Sequence, residues 1–275
     1  MAVSGTEASA GAPCGTKIPH WRERTEFQSA VDSRIPRYPV SDWTLLCDFD
    51  GTISVEDTTD TVLERFGKPG WQKLEDDWKA GSIGSRECMA GQVALLDMSR
   101  DELDRHLTER AIDPGFAAFV AYAKEHAMPI EIVSDGLDYA IHFILRHYDF
   151  DYLPVTANRL EEVGEREWRL GFPNASPMCR AKSGTCKCTA AARAQAPQGR
   201  VLMVGDGASD YCVAEAADFV FAKGKLVNHC RAKKIPHAPI KDFVEALALL
   251  PALVSGKLVG APRAAAAPLP NAVSA

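Results

Sequence analysis

No apolar run in this chain approaches the ~18–20 residues that a bilayer-spanning helix needs. The longest, Phe116 to Ala123 and Ala246 to Val254, stop far short, so no membrane role is expected. Dense runs of Lys or Arg are missing too. Thirty-one basic residues face 37 acidic ones, a net charge of −6, and the short Arg231, Lys233, Lys234 cluster reads as a solvated helix face. A nucleic-acid surface normally needs a strongly basic face, so that class of partner is excluded. Met1 to Gly15 is rich in Ala, Gly and Ser without the basic-then-apolar order of a secretory leader, which makes the cytoplasm the expected compartment. Eight cysteines are present, three of them crowded at Cys179, Cys186 and Cys188. Their spacing lacks the paired CxxC arms of a zinc ribbon and no His stands close by, so they read as reduced thiols. Internal repeats are absent. What is present is ordinary globular usage, 46% apolar and 25% charged residues, which excludes wholesale disorder.

Both ends read as tails. Residues 1–40 carry Gly, Pro and scattered charge, and 256–275 end in an Ala-Pro-rich stretch that cannot offset its ordering entropy. Between them, four short apolar runs each stop at a polar turn. Trp43 to Phe49 runs into Asp48-Phe-Asp-Gly-Thr52, Met128 to Val133 into Ser134-Asp-Gly136, Arg200 to Val204 into Gly205-Asp-Gly207, and Asp218 to Ala222 into Lys223-Gly224. Helix-compatible stretches follow most of them, at Leu137 to His147, Asp210 to Ala217 and Leu226 to Lys234. Strand, turn and helix in repetition predict an α/β fold with a doubly wound parallel sheet. Ligands of such sheets bind outside the carboxyl ends of the strands, where this chain collects its polar residues. Residues 54–112 show helical periodicity and no strand, so they are expected to form an inserted helical cap on a core built from 41–53 and 113–255. Tyr152 to Phe172 alternates around Val163-Gly164-Glu165, the pattern of a β-hairpin.

Asp48 and Asp50 are the sharpest chemical signal. Two carboxylates one residue apart at the end of a buried strand can converge on one metal and one substrate, one attacking while the other handles protons. The same pentad would also serve as an Asp-rich turn with a helix cap. Asp206 and Asp210 sit at another strand end, and carboxylates gathered at neighbouring ends repel unless a cation lies among them; an oxygen-only set suits Mg²⁺. Asp210 or Ser209 would alternatively cap a helix, and a supporting role is expected for Asp210. Thr52, Ser134 and Lys187 supply the anion side, because hydroxyls, backbone N–H groups and an ammonium bind phosphoryl oxygens. A phosphate dianion with Asp48 and Asp206 is offset by Mg²⁺ and Lys187 to about −1.

Taken in chain order, Asp48-Phe-Asp-Gly-Thr52, Ser134 at a strand end, Lys187 before a helix and Gly205-Asp206-Gly-x-x-Asp210 resemble the four motifs of the haloacid dehalogenase superfamily of phosphohydrolases. The resemblance covers about residues 43 to 250. It implies that Asp48 is the nucleophile that forms an aspartyl-phosphate and that Asp50 protonates the leaving oxygen, then activates water. It further implies Mg²⁺ held by Asp48, the Asp50 carbonyl and Asp206, and phosphoryl oxygens held by Thr52, Ser134, the backbone near Gly136 and Lys187. Dehalogenating members lack a proton-handling carboxylate at the second Asp, so Asp50 favours phosphatase or phosphomutase chemistry.

The helical character of 54–112 resembles the cap of the phosphoserine-phosphatase-like branch. Within it, Asp48 to Asp57, Ala157-Asn158, Gly184-Thr-Cys-Lys187, Phe221 to Leu226, Cys230 and Lys241-Asp-Phe243 are similar to the methionine-salvage subgroup acting on 2-hydroxy-3-keto-5-methylthiopentenyl-1-phosphate. Phosphoserine phosphatases carry Glu where this chain has Asp57, and one methylene fewer spoils a direct ammonium contact. Phosphoserine is therefore the second expected substrate. Arg86 and Glu87 are candidate substrate contacts from a cap helix, or an exposed pair on its outer face. The expected partner is a small phosphorylated metabolite, with a homodimer left open. Phosphoryl transfer to another alcohol and a silent binding module are the rival readings; intact Asp48, Asp50, Lys187 and Asp206 weigh against the second.

Overall fold

A computed structural model describes residues 41–195 and 197–258. The expected N-terminal tail lies outside the described residues, as does the expected C-terminal tail beyond Leu258. Seven strands form one sheet: β1 (Trp43–Cys47), β2 (Ile130–Leu137), β3 (Val155–Gly164), β4 (Glu167–Gly171), β5 (Arg200–Gly205), β6 (Phe219–Ala222) and β7 (His237–Pro239), in the order β4-β3-β2-β1-β5-β6-β7. Every neighbouring pair is parallel except β3 with β4. The apolar runs of β1, β5 and β6 are continuous because both faces are covered, and successive residues point to opposite layers. Leu45, Cys47, Leu202, Val204 and Phe221 join one core, while Leu46, Val201, Met203, Val220 and Ala222 join the other.

Helices fill both layers. α5 (Phe116–Glu125), α6 (Asp138–His147) and α10 (Phe243–Val254) cover the first core, where the Phe243 ring meets Phe116 and Phe119 edge-on at 5.0 and 4.9 Å between centroids. α7 (Lys187–Ala194), α8 (Tyr211–Ala216) and α9 (Gly224–Lys233) supply Ala190, Ala191, Val213, Ala214, Leu226 and Cys230 to the second. Small residues on α7 and α8 let those helices approach the sheet closely. The doubly wound sheet is thus the observed fold.

Residues 54–112 contain α1 (Thr58–Phe66), α2 (Trp71–Lys79), α3 (Ser85–Ala94) and α4 (Arg100–Thr108). Their starts follow local chemistry. Asp57 caps α1 through the Asp60 N–H at 2.9 Å, and Ser99 with Glu102 forms a reciprocal capping box on α4. The two connections to the sheet domain run antiparallel, bridged at Ser54 and Ile112. No helix among the described residues is long and apolar enough to cross a membrane.

The expected hairpin forms, with β3 and β4 turning at Glu165-Arg166. It does more than interrupt the α/β rhythm, because β3 also pairs in parallel with β2 and so extends the main sheet. Its far end grips the inserted helices: Arg166 pairs with Asp97 at 2.5 Å and Glu102 at 2.7 Å, and the Trp168 indole donates to the Met98 carbonyl at 2.9 Å. Two further differences from the sequence reading stand out. β2 continues through Ser134-Asp-Gly136 to Leu137, with a register shift against β3 between Val133 and Leu137. β7 was not foreseen, since three residues ending in Pro carry no periodicity and suit only a sheet edge. The seven described cysteines are free thiols, four of them on β1, α7 and α8 or at the N-cap of α7.

Candidate active site

The turn after β1 is wider than an α-turn. The Ser54 N–H donates to the Phe49 carbonyl at 2.9 Å, and Gly51 adopts φ of 69° inside it. A Cβ at Gly51 would stand 3.0 Å from Asp206 Oδ2, so glycine serves there both for its left-handed backbone and for the close approach. This turn aims Asp48 and Asp50 in different directions. Asp48 Oδ1 accepts its neighbour's N–H (Phe49) at 2.8 Å, leaving Oδ2 to meet the Lys187 ammonium at 2.6 Å. Asp50 Oδ1 instead accepts the Thr58 N–H at 2.9 Å and Oδ2 accepts the Thr59 hydroxyl at 3.4 Å. The N-terminus of α1 therefore holds the second carboxylate.

Lys187 opens α7 and is buried between two carboxylates, with Asp210 Oδ1 also 2.6 Å away and the Ser209 hydroxyl at 3.2 Å. Burial opposes its charge, and the carboxylates of Asp210 and Asp48 more than offset that, holding the ammonium above its ordinary pKa. Asp210 is fully buried; its Oδ2 accepts the N–H groups of Asp206 and Gly207 at 3.0 and 3.3 Å, which closes the loop after β5. The helix-cap alternative for Asp210 is thus replaced by a tighter one: it sits at the N-cap position of α8 without a side-chain cap bond and spends its oxygens on Lys187 and the loop. Ser209 likewise makes no cap, and its hydroxyl donates to Asp48 Oδ2 at 3.4 Å.

Asp206 accepts the Thr52 hydroxyl at 3.1 Å. Burial and the Asp210 charge push its carboxyl upward, while Thr52, Lys187 and Lys223 pull the other way. Asp48 is held well above the usual carboxylate range, first by burial and next by Asp210, with Lys187 opposing. Carboxylate oxygens of Asp48, Asp206 and Asp210 all lie within 4.8 Å of one another. Three acids with one buried ammonium leave excess negative charge, and an all-oxygen donor set of this kind fits a hard divalent cation such as Mg²⁺. The Asp50 carboxylate is not part of that set; its own pKa is raised by burial against the hydrogen bonds of Thr58 and Thr59.

Ser134 and Gly136 sit on the neighbouring strand end. The Gly136 N–H donates to Ser134 Oγ at 3.0 Å, and a Cβ on Gly136 would collide with Asp50 Oδ2. The expected phosphate-binding residues thus border the expected acid. The cap candidates are scattered by comparison. Asp57 caps α1 beside the site, where burial and then the Asp50 charge push its carboxyl up to about 8, whereas the Arg86 guanidinium donates to the Lys182 carbonyl at 3.3 Å and Glu87 is exposed. Sequence reading gave no role to Lys223, whose ammonium donates to the Thr52 carbonyl at 3.1 Å, or to the buried Asn158, which ties β3 to the Lys187 loop; both entered through the subgroup resemblance. The signal for Lys223 was its place directly after a strand.

Similarity to known proteins agrees with this arrangement. Residues 45–215 match the model of the haloacid dehalogenase-like hydrolase family. A protein of Exiguobacterium sp. (strain ATCC BAA-1283 / AT1b) named 2-hydroxy-3-keto-5-methylthiopentenyl-1-phosphate phosphatase is 31% identical over 205 residues, 73% of this chain and 94% of that protein. One of the same name from Geobacillus thermodenitrificans is 32% identical over 204 residues, 73% of this chain and 92% of that one. Among solved structures, a haloacid dehalogenase family hydrolase from Salmonella enterica serovar Typhi superposes with a TM-score of 0.59 at 19% identity, covering 77% of this chain and 71% of that one. A phosphoserine phosphatase holding an analogue of its phospho-aspartyl intermediate gives 0.58 at 19%, covering 74% and 97%. At such identities the structural likeness speaks for the fold alone. With the family model spanning most of the chain and relatives above 30% identity covering nearly three quarters of it, this protein belongs to the haloacid dehalogenase-like hydrolase family.

Proposed function

We propose that this hydrolase is a Mg²⁺-dependent phosphatase acting on 2-hydroxy-3-keto-5-methylthiopentenyl-1-phosphate or a close small phosphate monoester, through an aspartyl-phosphate on Asp48. The observation that carries the reading is the convergence of Asp48, Lys187, Asp206 and Asp210 at adjacent strand ends, with Asp50 held apart on α1. Asp48 Oδ attacks phosphorus as the bond to the leaving alkoxide breaks, and Asp50, whose proton affinity burial raises, delivers a proton to the alkoxide. Water then attacks the phosphoryl group on Asp48, Asp50 takes its proton, and inorganic phosphate departs. Lys187, the Thr52 and Ser134 hydroxyls and the Gly136 N–H hold the phosphoryl oxygens. Asp48 and Asp206, with the Asp50 carbonyl and with Asp210 in support, would hold Mg²⁺, which would supply charge neutralisation between phosphate and acids.

Residues 54–112 act as the cap in this reading. Val62, Leu63, Val93, Leu96, Leu137 and the polar Gln92 pack there as buried core, beside Thr59, the residue that touches Asp50. The two relatives at 31 and 32% identity that are named as phosphatases of the salvage ester favour that substrate over phosphoserine. A panel of small monoesters including both compounds, assayed for phosphate release with Mg²⁺ and with chelator, tests the assignment. The salvage ester should give the highest kcat/KM; phosphoserine exceeding it would overturn the substrate, and undiminished turnover in chelator would overturn the metal.

With 4-nitrophenyl phosphate, whose phenolate departs without protonation, Asp50→Asn is expected to release the first equivalent of 4-nitrophenol and then stall. Loss of a positioned proton acceptor costs about 10²–10⁴-fold in the step that needs it. Rapid-quench measurement with 4-nitrophenyl phosphate should show a burst followed by a slow phase. A slow first turnover with no burst would place Asp50 only in the first step.

A further inference from the structure

We infer that Asp135 is a positioning residue that joins the phosphate grip, the Lys187 loop and the inserted helices into one unit, an inference that rests on the phosphatase reading. Asp135 stands between Ser134 and Gly136, and its side chain leaves the site to meet three other segments. Its Oδ1 accepts the Thr185 N–H at 2.8 Å and the Asn158 amide at 3.2 Å; its Oδ2 accepts the Ser85 hydroxyl at 3.1 Å. The Asn158 amide also donates to the Asp135 carbonyl at 2.5 Å, and Thr185 Oγ1 donates to Asn158 Oδ1 at 3.1 Å. Asp135, Asn158 and Thr185 thereby close a ring of hydrogen bonds around a fully buried amide.

The geometry explains why these contacts matter for chemistry beyond ordinary packing. Thr185 lies two residues before Lys187, so the Thr185 N–H on Asp135 sets where α7 begins and where its first ammonium points. The same carboxylate belongs to the β2 segment whose register shifts against β3, the stretch that presents Ser134 and the Gly136 N–H. A regular strand would not hold those two groups together; the Asn158 amide on the Asp135 backbone and side chain fixes the irregular path. Ser85 is the first residue of α3, the helix that brings Met89 and Val93 alongside Leu137 at the end of β2. Placement of α3 and placement of the phosphate donors are therefore linked through one carboxylate, and misplacement of reacting groups by an ångström can cost about a hundredfold.

The test uses the full chain with Mg²⁺ and 4-nitrophenyl phosphate, and reads kcat, KM, inhibition by inorganic phosphate and the thermal melt. Asp135→Ala should lower kcat by about 10–100-fold and weaken phosphate inhibition about tenfold. Asp135→Asn keeps an oxygen for the Thr185 N–H and should restore phosphate inhibition to within about threefold of wild type. Ser85→Ala should lower kcat/KM for the salvage ester while leaving phosphate inhibition unchanged, and this loss should vanish in the Asp135→Ala background. Folded Asp135→Ala with kcat and phosphate inhibition within twofold of wild type would overturn the inference. If Asp135→Ala does not fold, additive losses from Ser85→Ala and Asp135→Asn, or no loss from Ser85→Ala, would overturn it equally. Wild-type protein that neither releases nor binds phosphate would sink the phosphatase reading, and this inference with it.

Discussion

Asp48→Asn should abolish phosphate release, by about 10⁴-fold or more, in a protein that remains folded. The amide is isosteric, and whichever way it is oriented one oxygen remains for either the Phe49 N–H or Lys187. What it loses is the negative oxygen that attacks phosphorus. The effect on stability has two opposing parts. The amide gives up a charged partner of Lys187, but it also removes a buried charge that burial and Asp210 already disfavour. Lys187 keeps Asp210 at 2.6 Å, so no ion is left unpaired. The melting temperature should consequently move by only a few degrees, roughly the 2–4 °C that accompany 1 kcal/mol in a domain of this size. Release of 4-nitrophenol in Mg²⁺, followed beside a circular-dichroism melt, separates the two outcomes. Near-wild-type turnover would remove Asp48 from the nucleophile's role.

Lys187→Met carries the opposite signature, a loss of both activity and stability. The ammonium is 3% exposed, against 6% for Asp48 and none for Asp210, so its removal strands two buried carboxylates. Breaking a buried pair in this way costs about 3–5 kcal/mol, because the remaining charge has neither water nor partner. That corresponds to a fall of roughly 10 °C in melting temperature. The loss should depend on pH with a definite sign. Asp48 and Asp206 already have raised pKa values, and without the lysine that opposes the rise they go higher. The folded variant then binds more protons than the unfolded chain, so its stability falls as pH climbs from about 4 toward neutrality. Mg²⁺ should recover part of it, since a divalent ion on the same oxygens replaces the missing charge and stabilises only the folded state. Calorimetric melts of both proteins in chelator and in Mg²⁺, at two pH values, check this. A variant that melts with wild type in chelator, or gains less from Mg²⁺ than wild type does, would contradict the charge balance drawn here.

The hairpin and Asn158 show where sequence reasoning stops. Alternation around Val163-Gly164-Glu165 was enough to expect two antiparallel strands, because turn chemistry and period-2 patterning are local. That β3 would also extend the parallel sheet is a long-range pairing with no local mark. Asn158 stood out only through resemblance to a subgroup; its buried amide acquires meaning once Asp135 and Thr185 arrive from elsewhere in the chain. Arg86 is the converse case, a charged residue on a helix beside the expected site that the fold turns onto a backbone carbonyl.

Continuous apolar runs ending in Asp, Ser and Gly were sufficient to establish an α/β sheet with chemistry at its strand ends, since burial on both faces and turn formation act over a few residues. Which oxygen faces which partner was not. Asp48 and Asp50 are two positions apart, yet one meets Lys187 and the other the start of α1, because a wide turn with a left-handed glycine sends them different ways. Electrostatics falls off with distance in space rather than along the chain, so only the folded arrangement decides which of these acids share charge, which keep a proton and which merely close a loop.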